Sequence, residues 1–178
     1  MKPFKILNSE ILVDEPYCNV EKQRVKLPDG SETDWFIRHS GPAVVIVPVL
    51  KSGEIYLQKT YKHGCGKIIL EFPAGLIDAG ENPLNAAIRE LKEETGLVAE
   101  EMISLGKCVA DATGSDMMYY FFLAKNCEQV SDPELDDAEQ IESFIVATFD
   151  AVREEFLHGK YEASASSLAA LGMVLQLP

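Results

Sequence analysis

One stretch limits what this chain can become more than any other: Gly75 to Leu97, a glycine-containing loop that runs into a polar helix. Asn82 suits an N-cap, because its short side chain can accept a hydrogen bond from a free N–H of the first turn. Pro83 follows at the first helical position, where its missing N–H costs nothing. Gly96 is placed to end the helix in a left-handed turn. The spacing therefore predicts a helix from Pro83 to Thr95. At roughly 100° per residue, Leu84, Ala87, Ile88 and Leu91 share one stripe, the side expected to pack on a sheet.

Glu90, Glu93 and Glu94 fall on a different sector of that helix. Glu90 and Glu94 are i,i+4 neighbours and Glu93 is three residues beyond Glu90, so three carboxylates converge on about one turn. Like charges so spaced weaken a helix by roughly 0.2–0.5 kcal/mol per pair. They also crowd the last turn, where the helix dipole favours cations. A divalent cation removes both objections, and clustered hard oxygens suit Mg2+ or Mn2+ better than a soft transition metal. Taken alone, Glu-x-x-Glu-Glu reads equally as a solvated acidic face, with Arg89 and Glu93 as an ordinary i,i+4 pair.

The whole string narrows the choice. Gly75, Glu81, Arg89, Glu90, Leu91, Glu93, Glu94, Gly96 and Leu97 satisfy the pattern Gly-x5-Glu-x7-Arg-Glu-U-x-Glu-Glu-x-Gly-U, with U aliphatic, and the segment resembles the Nudix box at every fixed position. That resemblance implies an α+β Nudix fold, a mixed sheet sandwiched between helices. It also implies a metal-dependent hydrolase of nucleoside diphosphates linked to another moiety, X. Glu90, Glu93 and Glu94 are then the metal-binding carboxylates for Mg2+, with Mn2+ as a substitute, and Arg89 orients Glu93. The preceding Glu71-Phe72-Pro73-Ala74-Gly75 looks like the entry to the box in ADP-sugar hydrolases, which makes the Ala74 carbonyl a further metal ligand.

At 178 residues with 47% hydrophobic content, the chain can bury a full core without staples. A formal net charge of −13 argues against duplex nucleic acid or an anionic membrane as a partner. A phosphate-bearing small molecule stays admissible if metal ions bring the compensating charge. Cys18, Cys65, Cys108 and Cys127 are scattered, without a Cys-x-x-Cys pair, so a zinc site or disulfide framework is not expected. With no signal peptide and no apolar run of membrane-spanning length, the chain reads as reduced and cytoplasmic.

Residues 1–40 read as a small antiparallel unit: Phe4 to Val13, Val20 to Leu27, a Pro28-Asp29-Gly30 turn and Thr33 to His39. Residues 41–178 read as the domain that carries the box. In the ADP-ribose pyrophosphatase branch of the family a similar leading sheet pairs two subunits and helps cover the base. By that resemblance this chain is a homodimer, Trp35 and Phe36 are candidates to stack on a nucleobase, and Arg38 is a candidate phosphate or ring contact. Trp35 as a core or interface aromatic is the plainer alternative. Ala43 to Leu50 is an apolar run expected of a strand buried on both faces, followed by Glu54 to Lys62 and Ile68 to Phe72. Lys59 and Lys62 occupy places where the family carries basic residues near substrate phosphates.

Beyond the helix, Met102 to Ala110 and Met117 to Lys125 read as strands around a turn-rich loop. Thr113 stands where many ADP-ribose-preferring members carry proline, a departure that leaves other nucleoside diphosphate sugars open. Glu139-Gln140-Ile141-Glu142 resembles the family's Glu-x-U-Glu segment, which makes Glu139 the candidate general base, with Glu93 as the alternative. It leads into a strand from Ser143 to Ala147, and helices are predicted over Asp150 to His158 and Ala163 to Gln176. In the last helix Leu168, Leu171, Val174 and Leu175 recur at helical spacing. Two other functions stay open: a Nudix-fold sensor that binds a nucleotide without cleaving it, and a hydrolase of oxidised nucleoside triphosphates or dinucleoside polyphosphates.

Overall fold

The computed structural model describes residues 2–16, 18–135 and 140–176, and these group into two compact units. The first takes in the chain up to Pro42 together with Cys108–Met118. Its three strands, β1 (Lys5–Glu15), β2 (Cys18–Lys26) and β3 (Glu32–His39), form an antiparallel sheet in the order β1-β2-β3. The turn before β3 closes as its sequence demands. Gly30 adopts φ +91 and its N–H donates to the Leu27 carbonyl at 3.0 Å, while Asp29 Oδ1 accepts from Ser31 N at 2.9 Å.

The segment 111–116 is docked on β3 within the same unit. Arg38 N donates to the Gly114 carbonyl at 2.8 Å, and Trp35 Nε1 donates to the Thr113 carbonyl at 2.9 Å. His39 lies between two carboxylates: Nδ1 is 2.6 Å from Asp116 and Nε2 is 3.0 Å from Glu21. Hydrogen bonds to Asp116 and then Glu21 raise its pKa above the usual histidine value. Those of Asp116 and Glu21 are lowered, Asp116 chiefly by His39 and Glu21 chiefly by Ser9.

The second unit is built on a mixed sheet. Its strands are β4 (Ala43–Leu50), β5 (Ile55–Lys62), β6 (Lys67–Glu71), β7 (Ala74–Leu76), β8 (Leu97–Val98), β9 (Glu101–Val109), β10 (Met118–Gln129) and β11 (Ile141–Ala147). The main path runs β11-β5-β4-β10-β8, with β6 on β5, β7 on β4 and β9 on β10. The β4–β10 pair is parallel, whereas β4–β5, β4–β7, β5–β6 and β5–β11 are antiparallel. Val44, Val45, Ile46 and Val47 are fully buried, as the two-sided apolar run of β4 requires.

Helices cover both faces of β4. The first, α1 (Pro83–Thr95), packs on β4 through a core of Val44, Ile46, Ala86, Ala87, Leu91 and Phe122. Val45 and Val47 point the other way. The helices α2 (Phe149–His158) and α3 (Ala165–Val174) follow β11, and α3 also packs on β4. The segment between them is pinned to β6, Leu70 N donating to the Glu162 carbonyl and Ser164 N to the Leu70 carbonyl, and just past β6 Phe72 N donates to Ser167 Oγ of α3 at 2.9 Å. Thr148 and Ser164 cap these two helices by accepting from Ala151 N and Ser167 N.

The helix that carries the box has the predicted limits, with Asn82 Oδ1 accepting from Asn85 N and Gly96 at φ +70. Its buried stripe differs from the apolar one. Ala86, Ala87, Glu90, Leu91, Glu94 and Thr95 are buried, while Leu84 and Ile88 are 42% and 49% exposed. Two carboxylates take places that hydrophobicity alone would have given to leucine and isoleucine. In α3 the stripe is again narrower than read, for Leu171 and Val174 are buried but Leu168 and Leu175 are exposed. The short strands β7 and β8 have no counterpart in the sequence reading, because two or three residues carry no periodicity. All four cysteines are free, and among the described residues no helix is long and apolar enough to cross a membrane.

A Cβ on Gly96 would overlap the Ser131 carbonyl oxygen as well as forcing a left-handed conformation on an L-residue. Gly96→Ala is therefore expected to lower stability by at least about 1 kcal/mol, read from urea unfolding midpoints. The His39 pairing has a defined pH window. A raised histidine pKa contributes stability below about 6.5 that is lost as pH rises through the folded value. The lowered carboxylates contribute stability that is lost as pH falls below about 4. The melting-temperature gap between wild type and His39→Gln should thus be widest near pH 5 to 6 and shrink on both sides.

Candidate active site

The second unit concentrates its buried charge on one face of α1. Glu90 and Glu94 are 8% and 4% exposed, so neither belongs to a solvated acidic face. Carboxylates taken out of water must be paired or hydrogen-bonded, and each of these is. Glu94 Oε2 accepts from Gln58 Nε2 at 2.9 Å and from the backbone N–H of Ala74 at 3.1 Å. Glu90 Oε1 accepts from Arg89 Nη1 at 2.7 Å.

Arg89 is the hub. Its guanidinium forks onto Glu81, Nε to Oε1 at 3.1 Å and Nη2 to Oε2 at 2.9 Å, the two-pronged geometry that suits arginine and a carboxylate. Nη1 also donates to Glu93 Oε2 at 3.1 Å, and Nη2 to the Leu76 carbonyl at 3.0 Å. The bond to Glu81 comes first in raising the arginine's pKa, and it lowers that of Glu81 in turn. Arg89 thereby ties the loop, through Leu76 and Glu81, to two carboxylates of the helix.

Gly75 has a more specific duty than loop flexibility. A Cβ there would fall on the Glu90 carboxyl group. The glycine leaves the space in which that carboxyl lies against the backbone of β7, and β7 is held by β4 through the pairs Val44 with Gly75 and Val45 with Ala74. The sheet therefore fixes residues 74 and 75 beside Glu94 and Glu90.

Next to Glu94 lies a cavity of about 360 Å³ lined by Gln58, Thr60, Tyr61, Lys62, His63, Ala74, Gln140 and Ile141. Lys62 reaches Glu71 at 2.6 Å, and Glu71 is itself 6% exposed, so this cation is anchored at the wall. Lys59, the other basic candidate, turns to the Tyr161 ring at 4.5 Å. Gln58 and Thr60 did not emerge from the sequence, although polar residues at the buried phase of an otherwise apolar strand were the available signal.

The structure brings Ala74, Glu90, Glu93, Glu94, Arg89 and Lys62 into the second unit, and Trp35, Phe36 and Arg38 together on β3 of the first. On that strand, alternation puts Phe36 and Arg38 on one face and Trp35 on the other. Trp35 meets Phe4 edge-on at 5.7 Å and Phe36 is 53% exposed. Glu139 lies outside the described residues, and Gln140 beside it in sequence lines the cavity.

The donor set, Glu90, Glu93, Glu94 and the residue 74 backbone, is entirely hard oxygen, which fits Mg2+ or Mn2+. Because the Glu90 carboxyl lies in the space a Cβ on Gly75 would take, and Glu94 is enclosed beside the residue 74 backbone, hard-oxygen groups that suit such an ion lie close together. Among the described residues no three acidic, histidine or cysteine side chains are gathered as a ready-made cage, and Arg89 bridges Glu90 and Glu93. Glu93, with 44% of its side chain exposed, is the least enclosed of the three.

The NUDIX domain model matches residues 39–168. An ADP-ribose pyrophosphatase of Bacillus subtilis (strain 168) is 31% identical over 151 residues, covering 84% of this chain and 81% of its own. A putative nudix hydrolase 2 of Caenorhabditis elegans is 37% identical over 121 residues, covering 61% of this chain and 54% of its own, so this chain spans about half of that relative's length. A crystal structure titled as an ADP compounds hydrolase superposes with a TM-score of 0.87 at 24% identity, covering 99% of this chain and 94% of that one, a likeness of fold. The chain belongs to the Nudix family of pyrophosphohydrolases, and its mixed sheet with helices is the Nudix fold.

Gly75→Ala should leave the far-ultraviolet circular dichroism spectrum unchanged while displacing Glu90. An activity loss of roughly 10²-fold is expected, the scale of a 1 Å misplacement in an active site.

Proposed function

We propose that this chain hydrolyses the pyrophosphate bond of ADP-ribose or a related nucleoside diphosphate sugar with Mg2+, Mn2+ serving as a substitute, to give a nucleoside monophosphate and a sugar phosphate. The observation that carries this reading is the enclosure of Glu90 and Glu94 against Gly75 and Ala74, beside a cavity rimmed by Lys62. A structural role alone would not draw carboxylates into the apolar stripe of a helix, because hydrophobic residues there cost less. The names of relatives such as the Bacillus subtilis ADP-ribose pyrophosphatase supply the substrate class.

Phosphoanhydride hydrolysis asks the protein for positioning and charge neutralisation rather than covalent chemistry. A divalent cation, when bound, neutralises the diphosphate and makes a water molecule acidic. Glu90, Glu93, Glu94 and the Ala74 carbonyl would hold it. Arg89 orients Glu93 and Glu90, while Glu81 holds Arg89 in place. Glu139 takes the proton of the attacking water, with Glu93 as the alternative base. Lys62 faces a phosphate from the cavity wall; on β3, Phe36 and Arg38, which share one face, are the proposed base and phosphate contacts, while Trp35 on the opposite face packs on Phe4. The homodimer is supported by β1, an edge strand of eleven exposed residues that includes Ile6, Leu7, Ile11, Leu12 and Val13 and offers an unpaired backbone edge to a second copy.

A panel of nucleoside diphosphate sugars, dinucleotides and nucleoside triphosphates with Mg2+, read by phosphatase-coupled release of monoesters, tests the reading. Turnover should be highest for ADP-ribose or another nucleoside diphosphate sugar. Glu93→Gln and Glu94→Gln should each lower kcat/KM by at least about 10²-fold, as loss of a principal electrostatic group does. Glu139→Gln should do the same, and a wild-type rate in that variant would return the base to Glu93. Tight binding of one compound with turnover of none would replace hydrolysis by nucleotide sensing.

A further inference from the structure

The wall beside Glu94 carries two polar groups that the chemistry above leaves unused. Gln58 and Thr60 are two residues apart on β5 and so project to the same side, and both line the cavity of about 360 Å³. They are 2% and 4% exposed, yet Gln58 Oε1 and Thr60 Oγ1 have no hydrogen-bond partner. Buried polar atoms are satisfied as a rule, and leaving them unmade is costly. Two such atoms on residues that line one cavity mark a place where a ligand supplies the partner.

The chemistry of that ligand follows from the amide's orientation. A carboxylate only accepts, so the Gln58 NH2 must face Glu94, as its 2.9 Å bond does, and the carbonyl oxygen must face elsewhere. Gln58 therefore offers the cavity an acceptor, and Thr60 offers a hydroxyl that donates or accepts. Phosphate oxygens, which only accept, cannot satisfy Gln58 Oε1 and would be repelled by the Glu94 charge beside it. An alcohol can donate to Oε1 and exchange a hydrogen bond with Oγ1. Neighbouring hydroxyls of a sugar ring supply two such donors at once.

We propose that Gln58 and Thr60 form a hydroxyl-reading wall for the sugar of the X moiety, with Gln58 also positioning Glu94 through its amide N–H. Recognition of the sugar and placement of a box carboxylate are thereby joined in one side chain. This assignment rests on the hydrolase reading and adds to it which part of the substrate the cavity takes.

Thr60→Val tests it, since the change keeps the shape and removes the hydroxyl. For ADP-ribose, KM should rise roughly three- to tenfold with kcat within about twofold, the effect of one lost hydrogen bond. The inhibition constant of ADP, which lacks the second sugar, should not move. The melting temperature should hold or rise, because an unpartnered buried hydroxyl has gone. Thr60→Ser, which keeps the hydroxyl, should restore KM to within about twofold of wild type. An unchanged KM with a raised melting temperature would make the threonine purely structural and overturn the proposal. Equal weakening of ADP and ADP-ribose would overturn it in favour of a nucleoside site. Absence of wild-type turnover counts against hydrolysis alone, and calorimetric affinities then judge the wall. ADP-ribose binding at least about threefold tighter than ADP, with the preference lost in Thr60→Val, supports it, and equal wild-type affinities overturn it.

Discussion

Burying Glu90 and Glu94 is the constraint around which the second unit is arranged. Each ion left unpaired in a protein interior costs several kcal/mol, so the surrounding elements must supply donors at fixed places. Arg89 serves Glu90 while clamped by Glu81, and Gln58 with the Ala74 N–H serves Glu94. These donors come from α1 itself, from the box loop, from β5 and from β7. Moving any of these elements takes a donor away from a buried charge, which couples the position of the carboxylates to the packing of the whole unit.

The sheet supplies that rigidity. β4 is closed in by α1 on one face and α3 on the other, and it holds β7 and β5 as antiparallel neighbours. Residues 74 and 75 therefore cannot drift away from the helix. β6 is fixed from its far side by the segment leading into α3, so Glu71, the partner of Lys62 in the cavity wall, is set in place by backbone hydrogen bonds rather than by that attraction. A family whose chemistry depends on placing a diphosphate, rather than on a covalent intermediate, needs a scaffold of this stiffness.

The first unit answers to a different balance. Its sheet is thin, and much of its definition comes from the 111–116 segment, held by the Arg38 N–H, the Trp35 indole and the His39 ring. The Thr113 carbonyl accepts from Trp35, which a proline carbonyl could do equally, so the departure from the branch pattern at this position leaves that contact unaffected.

Local chemistry was legible in the chain. The limits of α1 follow from Asn82, Pro83 and Gly96, whose preferences are properties of single residues, and the two-sided burial of β4 follows from its unbroken apolar run. The box residues announced themselves by type and spacing. Which of them are buried did not, because helical periodicity ranks positions by hydrophobicity and so assigned Leu84 and Ile88 to the inside and the glutamates to the outside. Gln58 and Thr60 were silent for the same reason: their meaning depends on Glu94, 36 and 34 positions away along the chain, and on a cavity bordered by residues from β5, β7 and the segment before β11. The sequence by itself determined the box carboxylates, the helix that carries them and the family. Only the tertiary structure decided that Gly75 serves close approach to Glu90 and that Arg89 links loop to helix, since both are contacts between segments whose separation in sequence carries no distance in space.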